Sequence, residues 1–156
     1  MRNFKLVIEY EGTNYHGWQI QNRKSGKSAK IKTVQEEIEG ALRKIFKKEI
    51  KLIGSGRTDS KVHALGQVAN FKCDTNLKPL NILNALNSYL PSDIRVLSVK
   101  EVKNNFHARF SAKAKVYRYI ILNSRIPSVF YRNYSWWLKE KLDCSAMRRA
   151  MRLFLG

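Results

Sequence analysis

The chain has 156 residues, 44% of them hydrophobic, and it carries 30 Lys and Arg against 12 Asp and Glu, a formal net charge of +18. This length is enough to bury a core and by itself suggests one domain. A large positive charge is typical of a protein with a polyanionic partner, because neutralising phosphates releases counterions. No apolar run approaches a membrane span and the N-terminus has no signal-peptide core, so we expect a cytoplasmic protein that does not bind membranes.

Positive charge and aromatic rings concentrate in the last third of the chain. Residues 103–156 hold 12 Lys and Arg against two acidic residues, and ten of the chain's 17 aromatic residues. Basic residues interleaved with rings suit RNA, whose bases stack on aromatic side chains. A basic membrane-surface protein is the competing class, but the sequence shows no long amphipathic basic helix.

The hydrophobic pattern predicts strands and helices in the order β-α-β-β-α-β. Phe4 to Tyr10 is a first strand, followed by a polar connection over residues 11–32 in which Arg23 to Lys32 is expected to be mobile. Thr33-Val34-Gln35-Glu36 has the pattern of a capping box that begins a helix. The further elements are strands at 50–53, 67–71 and 94–102 and a helix from Pro79 towards Leu90. This order predicts an α+β, ferredoxin-like (split βαβ) fold, in which two helices cover one face of a mixed or antiparallel sheet.

The sequence predicts two more elements after this pattern. Val116 to Leu122 reads as a further strand in which residues 117, 119 and 121 share one face. Asp143 is placed to cap a last helix. We therefore separate residues 1–115 from residues 116–156.

The stretch from Ile53 to Val68 lies between two predicted strands and concentrates the chemistry. It holds two early glycines, a lone arginine, Arg57, and a lone carboxylate, Asp59. Glycines permit tight turns, so the stretch predicts a shaped loop. The surrounding positive charge favours the ionised form of Asp59, which suits a nucleophile or a base. The structural alternatives are an aspartate that caps a turn and an arginine that forms a weak surface ion pair.

The sequence gives little support for a metal-binding site, whether for zinc or for another ion. Cys73 and Cys144 form no C-x-x-C pair, and the three histidines are too scattered for a metal cluster. A nuclease would need clustered acids, which the sequence lacks. We expect no metal and no organic cofactor.

Six motifs follow one another along residues 10–119. One is Gly56-Arg57-Thr58-Asp59, followed by Val62-His63-Ala64 and Gly66-Gln67-Val68. The other segments are Tyr10-Glu11-Gly12 with Tyr15 and Gly17 to Gln21, Thr33-Val34-Gln35, Leu86-Asn87 to Leu90-Pro91, Phe106 to Ala112, and Lys115 to Tyr119. Together they resemble the motifs of the TruA-type tRNA pseudouridine synthases, whose signature is the motif that begins at Gly56. One departure is Ser60-Lys61, where the family usually has Ala-Gly. If that position needs a positive φ, Lys61 costs about 1 kcal/mol or the turn adjusts.

The resemblance implies an isomerase that converts uridine to pseudouridine at positions 38 to 40 of the tRNA anticodon stem-loop. Asp59 would be the nucleophile, attacking either the sugar C1′ or the base C6. Arg57 would enter the base stack or clamp a phosphate. Tyr117, which by its sequence alone would be a core residue, would pack on the uracil ring. Thr58, His63 and Arg109 are weaker candidates for RNA contact.

The resemblance also implies a homodimer and a tandem of two similar domains. Residues 1–115 would be the N-terminal domain with the catalytic loop, and residues 116–156 a strand and a helix leading toward a second domain. We expect the chain to be a piece of a longer protein that by itself binds RNA weakly and turns over negligibly. The alternative is a non-catalytic RNA-binding module on the same fold, which the fold alone does not exclude.

Overall fold

The structure divides the chain into two units, Met1–Ala114 and Lys115–Gly156. It is a computed structural model that describes residues 1–21 and 32–155. The connection that we expected to be mobile lies outside the described residues, apart from Lys32 at its end.

A four-stranded sheet and two helices form the first unit. The elements are β1 (Arg2–Tyr10), α1 (Val34–Phe46), β2 (Ile53–Gly54), β3 (Ala64–Cys73), α2 (Pro79–Tyr89) and β4 (Ile94–Val102). The strand order is β2-β3-β1-β4, and every neighbouring pair is antiparallel. The strands β1 and β2 therefore run parallel with β3 between them, which is the split βαβ arrangement. The predicted α+β fold class is confirmed.

The core lies between the helices and one face of the sheet. Side chains alternate along a strand, so every second residue of β1 reaches this face, and Phe4 stacks on Phe71 with ring centroids 5.4 Å apart. Both helices bury one apolar stripe in the same core, with Val34, Ile38, Ala41 and Leu42 from α1 and Ile82 and Leu86 from α2. The two helices thus cover one face only.

A buried amide pair attaches the segment after β4 to the other face of the sheet. Asn70 Nδ2 donates to Asn3 Oδ1 at 3.0 Å, and both residues are almost fully buried. Asn3 Nδ2 donates to the carbonyls of Lys103 and Phe106, and the Ala108 amide donates to Asn70 Oδ1. Residues 103–108 are therefore fixed to this face by hydrogen bonds that a buried amide must satisfy.

The second predicted strand is shorter than its apolar pattern suggested. The sequence predicted residues 50–53, but pairing with β3 begins only at Ile53. The Leu52 amide donates instead to Glu39 Oε1, and the Leu52 carbonyl accepts from Gln35 Nε2. Side chains of α1 thus take the hydrogen bonds that a strand partner would have made. The β3 strand is longer than the predicted 67–71 at both ends.

The second unit contains a small sheet and a helix. Its elements are β5 (Ile121–Asn123), β6 (Trp136–Leu138), α3 (Cys144–Met151) and a 3₁₀ turn (Arg152–Phe154). The two strands pair in parallel, with Ile121 opposite Trp136. The predicted Asp143 cap is confirmed, because Asp143 Oδ1 accepts the amides of Ser145 and Ala146 at 2.9 Å.

The strand predicted over Val116 to Leu122 is wrong for its first five residues. Only residues from Ile121 onward pair with β6, and the sequence did not predict β6 at all. Residues 116–120 are exposed and lie in no strand. The alternation that would have put residues 117, 119 and 121 on one sheet face therefore does not exist here, because a strand pattern forms a strand only where a partner is present.

Candidate active site

Hydrogen bonds join the two ends of the loop between β2 and β3 where it leaves the sheet. The Ser55 amide donates to the Val68 carbonyl at 2.7 Å, and Ser55 Oγ donates to Gln67 Oε1 at 2.9 Å. Gln67 Nε2 in turn donates to the Gly56 carbonyl at 2.7 Å. These bonds extend the strand pairing beyond Gly54, so the loop starts from a fixed point.

Thr58 faces into the molecule, and its neighbours face out. Arg57 and Asp59 are exposed, whereas Thr58 is half-buried. The Thr58 hydroxyl lies 2.8 Å from the Tyr10 hydroxyl, and the Thr58 carbonyl accepts the Trp18 amide at 3.1 Å. Thr58 therefore attaches the loop both to the end of β1 and to the segment that follows β1.

Two glycines let that following segment approach the loop closely. Gly17 has φ +84°, and a Cβ there would lie 2.4 Å from the Thr58 carbonyl oxygen. A Cβ on Gly12 would lie 2.0 Å from the Val62 carbonyl oxygen. Any side chain at either position would push the loop away, so the loop backbone depends on both glycines.

Tyr15 joins the loop to the start of β4. Its carbonyl accepts the Lys61 amide at 3.1 Å and the Ser60 hydroxyl at 3.3 Å. Its own hydroxyl donates to Asp93 Oδ1 at 2.6 Å. Burial, and after it the hydrogen bond to Asp93, raise the pKa of Tyr15, and burial also raises the pKa of Tyr10. Both phenols are therefore protonated at neutral pH.

The Asp59 carboxylate takes no part in these attachments. The turn that follows it is closed by its main-chain oxygen, which accepts the Val62 amide at 3.2 Å, and not by its side chain. Within residues 1–21 and 32–155, neither the Asp59 carboxylate nor the Arg57 guanidinium has a hydrogen bond or an ion pair. The turn-capping aspartate and the local Arg57–Asp59 ion pair, the two structural alternatives, are thus not what this loop contains.

Lys61 occupies the glycine-like position of the turn. Its φ is +65°, in the left-handed region that a Cβ disfavours. The two backbone hydrogen bonds on either side, from Lys61 to Tyr15 and from Val62 to Asp59, hold it there. The position needs a positive φ, and the lysine accepts the strain.

His63 closes the far end of the loop. Its Nδ1 accepts the Gly12 amide at 3.1 Å and lies 3.4 Å from Glu11 Oε1. Its ring is half-buried, so it combines a structural contact with some exposure.

Comparison with known proteins assigns the loop and its fold to one family. The family model described as tRNA pseudouridine synthase matches residues 6–111. The chain belongs to the tRNA pseudouridine synthase family. Among its relatives, the tRNA pseudouridine synthase A of Thermoanaerobacter sp. and that of Acetivibrio thermocellus are each 47% identical over 156 residues, all of this chain and 61% of the relative. The enzyme of the same name from Pseudothermotoga lettingae is 42% identical over the same share of both chains.

The chain thus spans 61% of the length of these curated relatives. The resemblance to the TruA-type enzymes is confirmed by the family match and by these identities. The names of these relatives describe proteins of their full length. Membership of the family therefore does not by itself show what this chain does.

The predicted site residues of this synthase-family chain lie in three segments. Arg57, Thr58, Asp59 and His63 share one loop. Arg109 is exposed and belongs to the segment that packs on the sheet through Asn3 and Asn70. Tyr117 is 70% exposed and belongs to the second unit.

Three residues that hold the loop had no role in the sequence analysis. Tyr10 appeared there only as the end of a strand and as part of a family motif, Tyr15 only as part of that motif, and Asp93 did not appear at all. The spacing of Tyr10, Gly12, Tyr15 and Gly17 was the available signal, because two glycines so close to two tyrosines indicate a backbone packed tightly against something.

Neither a metal site nor a membrane span is found in the part of the chain that the structure describes. No cluster of three or more His, Cys, Asp or Glu there could hold a metal ion. None of the helices in those residues is long and apolar enough to cross a membrane.

Proposed function

We propose that this chain carries the catalytic loop of a tRNA pseudouridine synthase that isomerises uridine to pseudouridine in the anticodon stem-loop, at positions 38 to 40, with Asp59 as the nucleophile. The observation that carries the proposal is the Asp59 carboxylate, exposed and without a described partner on a turn whose backbone is attached on both sides. Family membership supports the choice of reaction, and the exposed Asp59 carboxylate is the group proposed to begin it.

The proposed reaction is an isomerisation and balances without an added reactant. The Asp59 carboxylate attacks C1′ or C6 of the uridine, and the C1′–N1 glycosidic bond breaks. The base turns, a C5–C1′ bond forms, the proton on C5 is lost and N1 ends protonated. Asp59 is released unchanged. A carboxylate that is not engaged in an ion pair is free to make this bond.

Arg57 and Tyr117 serve the flipped base in this proposal. Arg57 is exposed beside Asp59, so its planar guanidinium is available to fill the gap in the base stack or to bind a phosphate. Tyr117 packs on the uracil ring and assists removal of the C5 proton. Tyr117 is 70% exposed in this chain, so its ring is accessible to a base. Thr58, His63 and Arg109 contact the RNA more weakly in this proposal, and the Thr58 hydroxyl also lies 2.8 Å from the Tyr10 hydroxyl.

The tRNA is held mainly through phosphates and shape. The formal net charge of +18 supports this, because phosphate contacts need cations and carry no sequence information.

The proposal includes a homodimer in the cytoplasm. Sedimentation equilibrium of the chain extended to the length of its relatives tests the dimer, and a single species of monomer mass across the micromolar range would contradict it.

The second candidate is a non-catalytic RNA-binding module on the same fold. It is favoured only by the charge and the exposed aromatic residues of the second unit, which suit binding as well as catalysis. It gives no role to an unpaired carboxylate on a surface that must face phosphates. Turnover in the presence and absence of that carboxylate therefore separates the two candidates.

The test is release of tritium from a tRNA transcript labelled at uridine C5. We would assay this chain, and the same chain extended to the length of its relatives, each as wild type, as Asp59→Ala and as Asp74→Ala. Asp74 is an exposed aspartate that follows β3 and serves as the matched control. Filter binding of the same transcript is measured in parallel.

We expect the extended wild type and Asp74→Ala to release tritium, and Asp59→Ala to lose turnover by a factor on the order of 10³ or more while still binding tRNA. The 156-residue chain should bind weakly and turn over negligibly. Turnover in Asp59→Ala equal to wild type would end the nucleophile assignment. Binding without tritium release from any form would establish the binding module.

A further inference from the structure

We propose that Tyr10 and Tyr15 are positioning residues that together hold the main chain around Asp59, Tyr10 through the hydroxyl of Thr58 and Tyr15 through the backbone of Lys61. The effect on turnover rests on the proposed function. The effect on the loop does not, and it is measured separately.

Tyr10 offers a fixed hydroxyl to the residue before Asp59. It is the last residue of β1, is 4% exposed and lies against Trp18 with ring centroids 6.0 Å apart. Its ring therefore has little freedom, and its hydroxyl is held 2.8 Å from Thr58 Oγ1. Because Thr58 and Asp59 are joined by one peptide bond, fixing the Thr58 side chain also limits where the Asp59 Cα can lie.

Tyr15 fixes the residues after Asp59. Its carbonyl accepts hydrogen bonds from Ser60 and Lys61, and its hydroxyl is attached to Asp93 at the start of β4. Asp93 is held in turn, since its carbonyl accepts the Glu11 amide at 2.9 Å. The turn is thereby tied to the edge of the sheet through a single side chain.

The two attachments lie on opposite sides of Asp59 in sequence, one made by the last residue of β1 and the other by the segment between β1 and α1. A reacting group must be held within roughly 0.5 Å of its productive position. A displacement of about 1 Å can lower the rate by on the order of 100-fold. Loss of either hydroxyl should therefore reduce turnover while leaving phosphate contacts, and with them tRNA binding, unchanged.

The first experiment measures amide hydrogen exchange in the 156-residue chain. The reporters are the amides of Trp18, Lys61 and Val62, each of which donates a hydrogen bond to or from the loop backbone. The variants are Tyr10→Phe and Tyr15→Phe, and the control is Tyr89→Phe, which removes an exposed hydroxyl at the end of α2. Amides of the β1 ladder report global unfolding, so a change confined to the reporters is local.

We expect Tyr10→Phe to speed exchange at Trp18 by about 5-fold, the effect of one neutral hydrogen bond. Tyr15→Phe should speed exchange at Lys61 by about 10-fold or more, because its partner is a carboxylate. Tyr89→Phe should change neither. Wild-type exchange at the reporters in both tyrosine variants would overturn the proposal, whatever the turnover.

Two further comparisons separate positioning from general destabilisation. In a double-mutant cycle, Thr58→Val added to Tyr10→Phe should accelerate exchange no further than either change alone, since both remove one shared bond. Asp93→Asn keeps an oxygen acceptor for the Tyr15 hydroxyl but not its charge, so exchange at Lys61 should lie between wild type and Tyr15→Phe, whereas Asp93→Ala should match Tyr15→Phe. Independent, additive effects at Thr58 and Tyr10 would overturn their proposed link.

The turnover measurement uses the tritium assay in whichever form of the protein is active. We expect kcat of Tyr10→Phe and Tyr15→Phe to fall about 10-fold or more, with KM for tRNA within about 2-fold of wild type. If no form turns over, the proposed function fails and the exchange results alone decide the positioning role. An increase in KM with unchanged kcat would assign the tyrosines to RNA binding and overturn the proposal.

Discussion

Replacing Lys61 by glycine should stabilise the protein, although it removes a side chain. Lys61 has φ +65° and is held there by its own amide bond to Tyr15 and by the Val62 amide bond to Asp59. Glycine adopts this conformation without the clash that a Cβ makes with the following carbonyl oxygen. The native backbone is then reached without strain.

The size of the effect follows from two opposing contributions. A Cβ in the left-handed region costs about 1–2 kcal/mol, which the glycine variant recovers. Glycine also loses more backbone freedom on folding, which costs about 0.5–1 kcal/mol. The free energy of unfolding should therefore rise by about 0.5–1 kcal/mol in Lys61→Gly. In a chain of this length that raises Tm by about 1–4 °C.

Urea unfolding followed by tryptophan fluorescence measures the change. Lys61→Ala is the matched control, because it removes the same charge and most of the side chain but keeps the Cβ. Lys47→Gly is a second test of the same reasoning, since Lys47 ends α1 with φ +56°. If Lys61→Gly is no more stable than Lys61→Ala, backbone strain at this turn is refuted.

Changes at four further positions test other parts of the same unit. Gly17→Ala should lower the free energy of unfolding by about 2–4 kcal/mol, because φ +84° and a Cβ 2.4 Å from a carbonyl oxygen both oppose it. Gly40→Ala, in α1 with open space around it, should instead stabilise by about 0.5–1 kcal/mol, and thermal unfolding compares the two. Thr33→Ala should cost about 1 kcal/mol in a urea titration, because the Glu36 amide loses its cap, and Thr33→Ser should cost much less. Folding raises the pKa of Tyr15, so its contribution to the free energy of unfolding should be fully present below about pH 10 and should fall as the pH rises above that. Between pH 9 and pH 11 the free energy of unfolding should therefore fall less in Tyr15→Phe than in the wild type.

The sequence was a good guide wherever the structure depends on neighbours along the chain. Thr33 begins α1, Pro79 begins α2 and Asp143 begins α3 as predicted, because caps and proline act within one helical turn. The alternation of β4 also predicted its bounds, Ile94–Val102. The order of these elements then indicated the fold class.

The sequence was a poor guide where a hydrogen-bond partner comes from a distant part of the chain. Leu52 looked like part of a strand, but Gln35 and Glu39 bind its backbone, and nothing in its own segment indicates this. Tyr117 looked like part of a strand for the same reason and lies in none. Strand pairing is a property of two segments, so one segment's pattern predicts only half of it.

The candidate site divides in the same way. The sequence by itself determined which loop carries the chemistry, because two glycines, Arg57 and Asp59 are local features of the chain. Only the tertiary structure decided that Tyr10, Tyr15 and Asp93 hold that loop, since their side-chain hydrogen bonds join residues 48 and 78 positions apart only when the sheet has formed. It also decided that Lys61 takes a positive φ, because backbone hydrogen bonds on both sides of the turn outweigh the preference of a single residue.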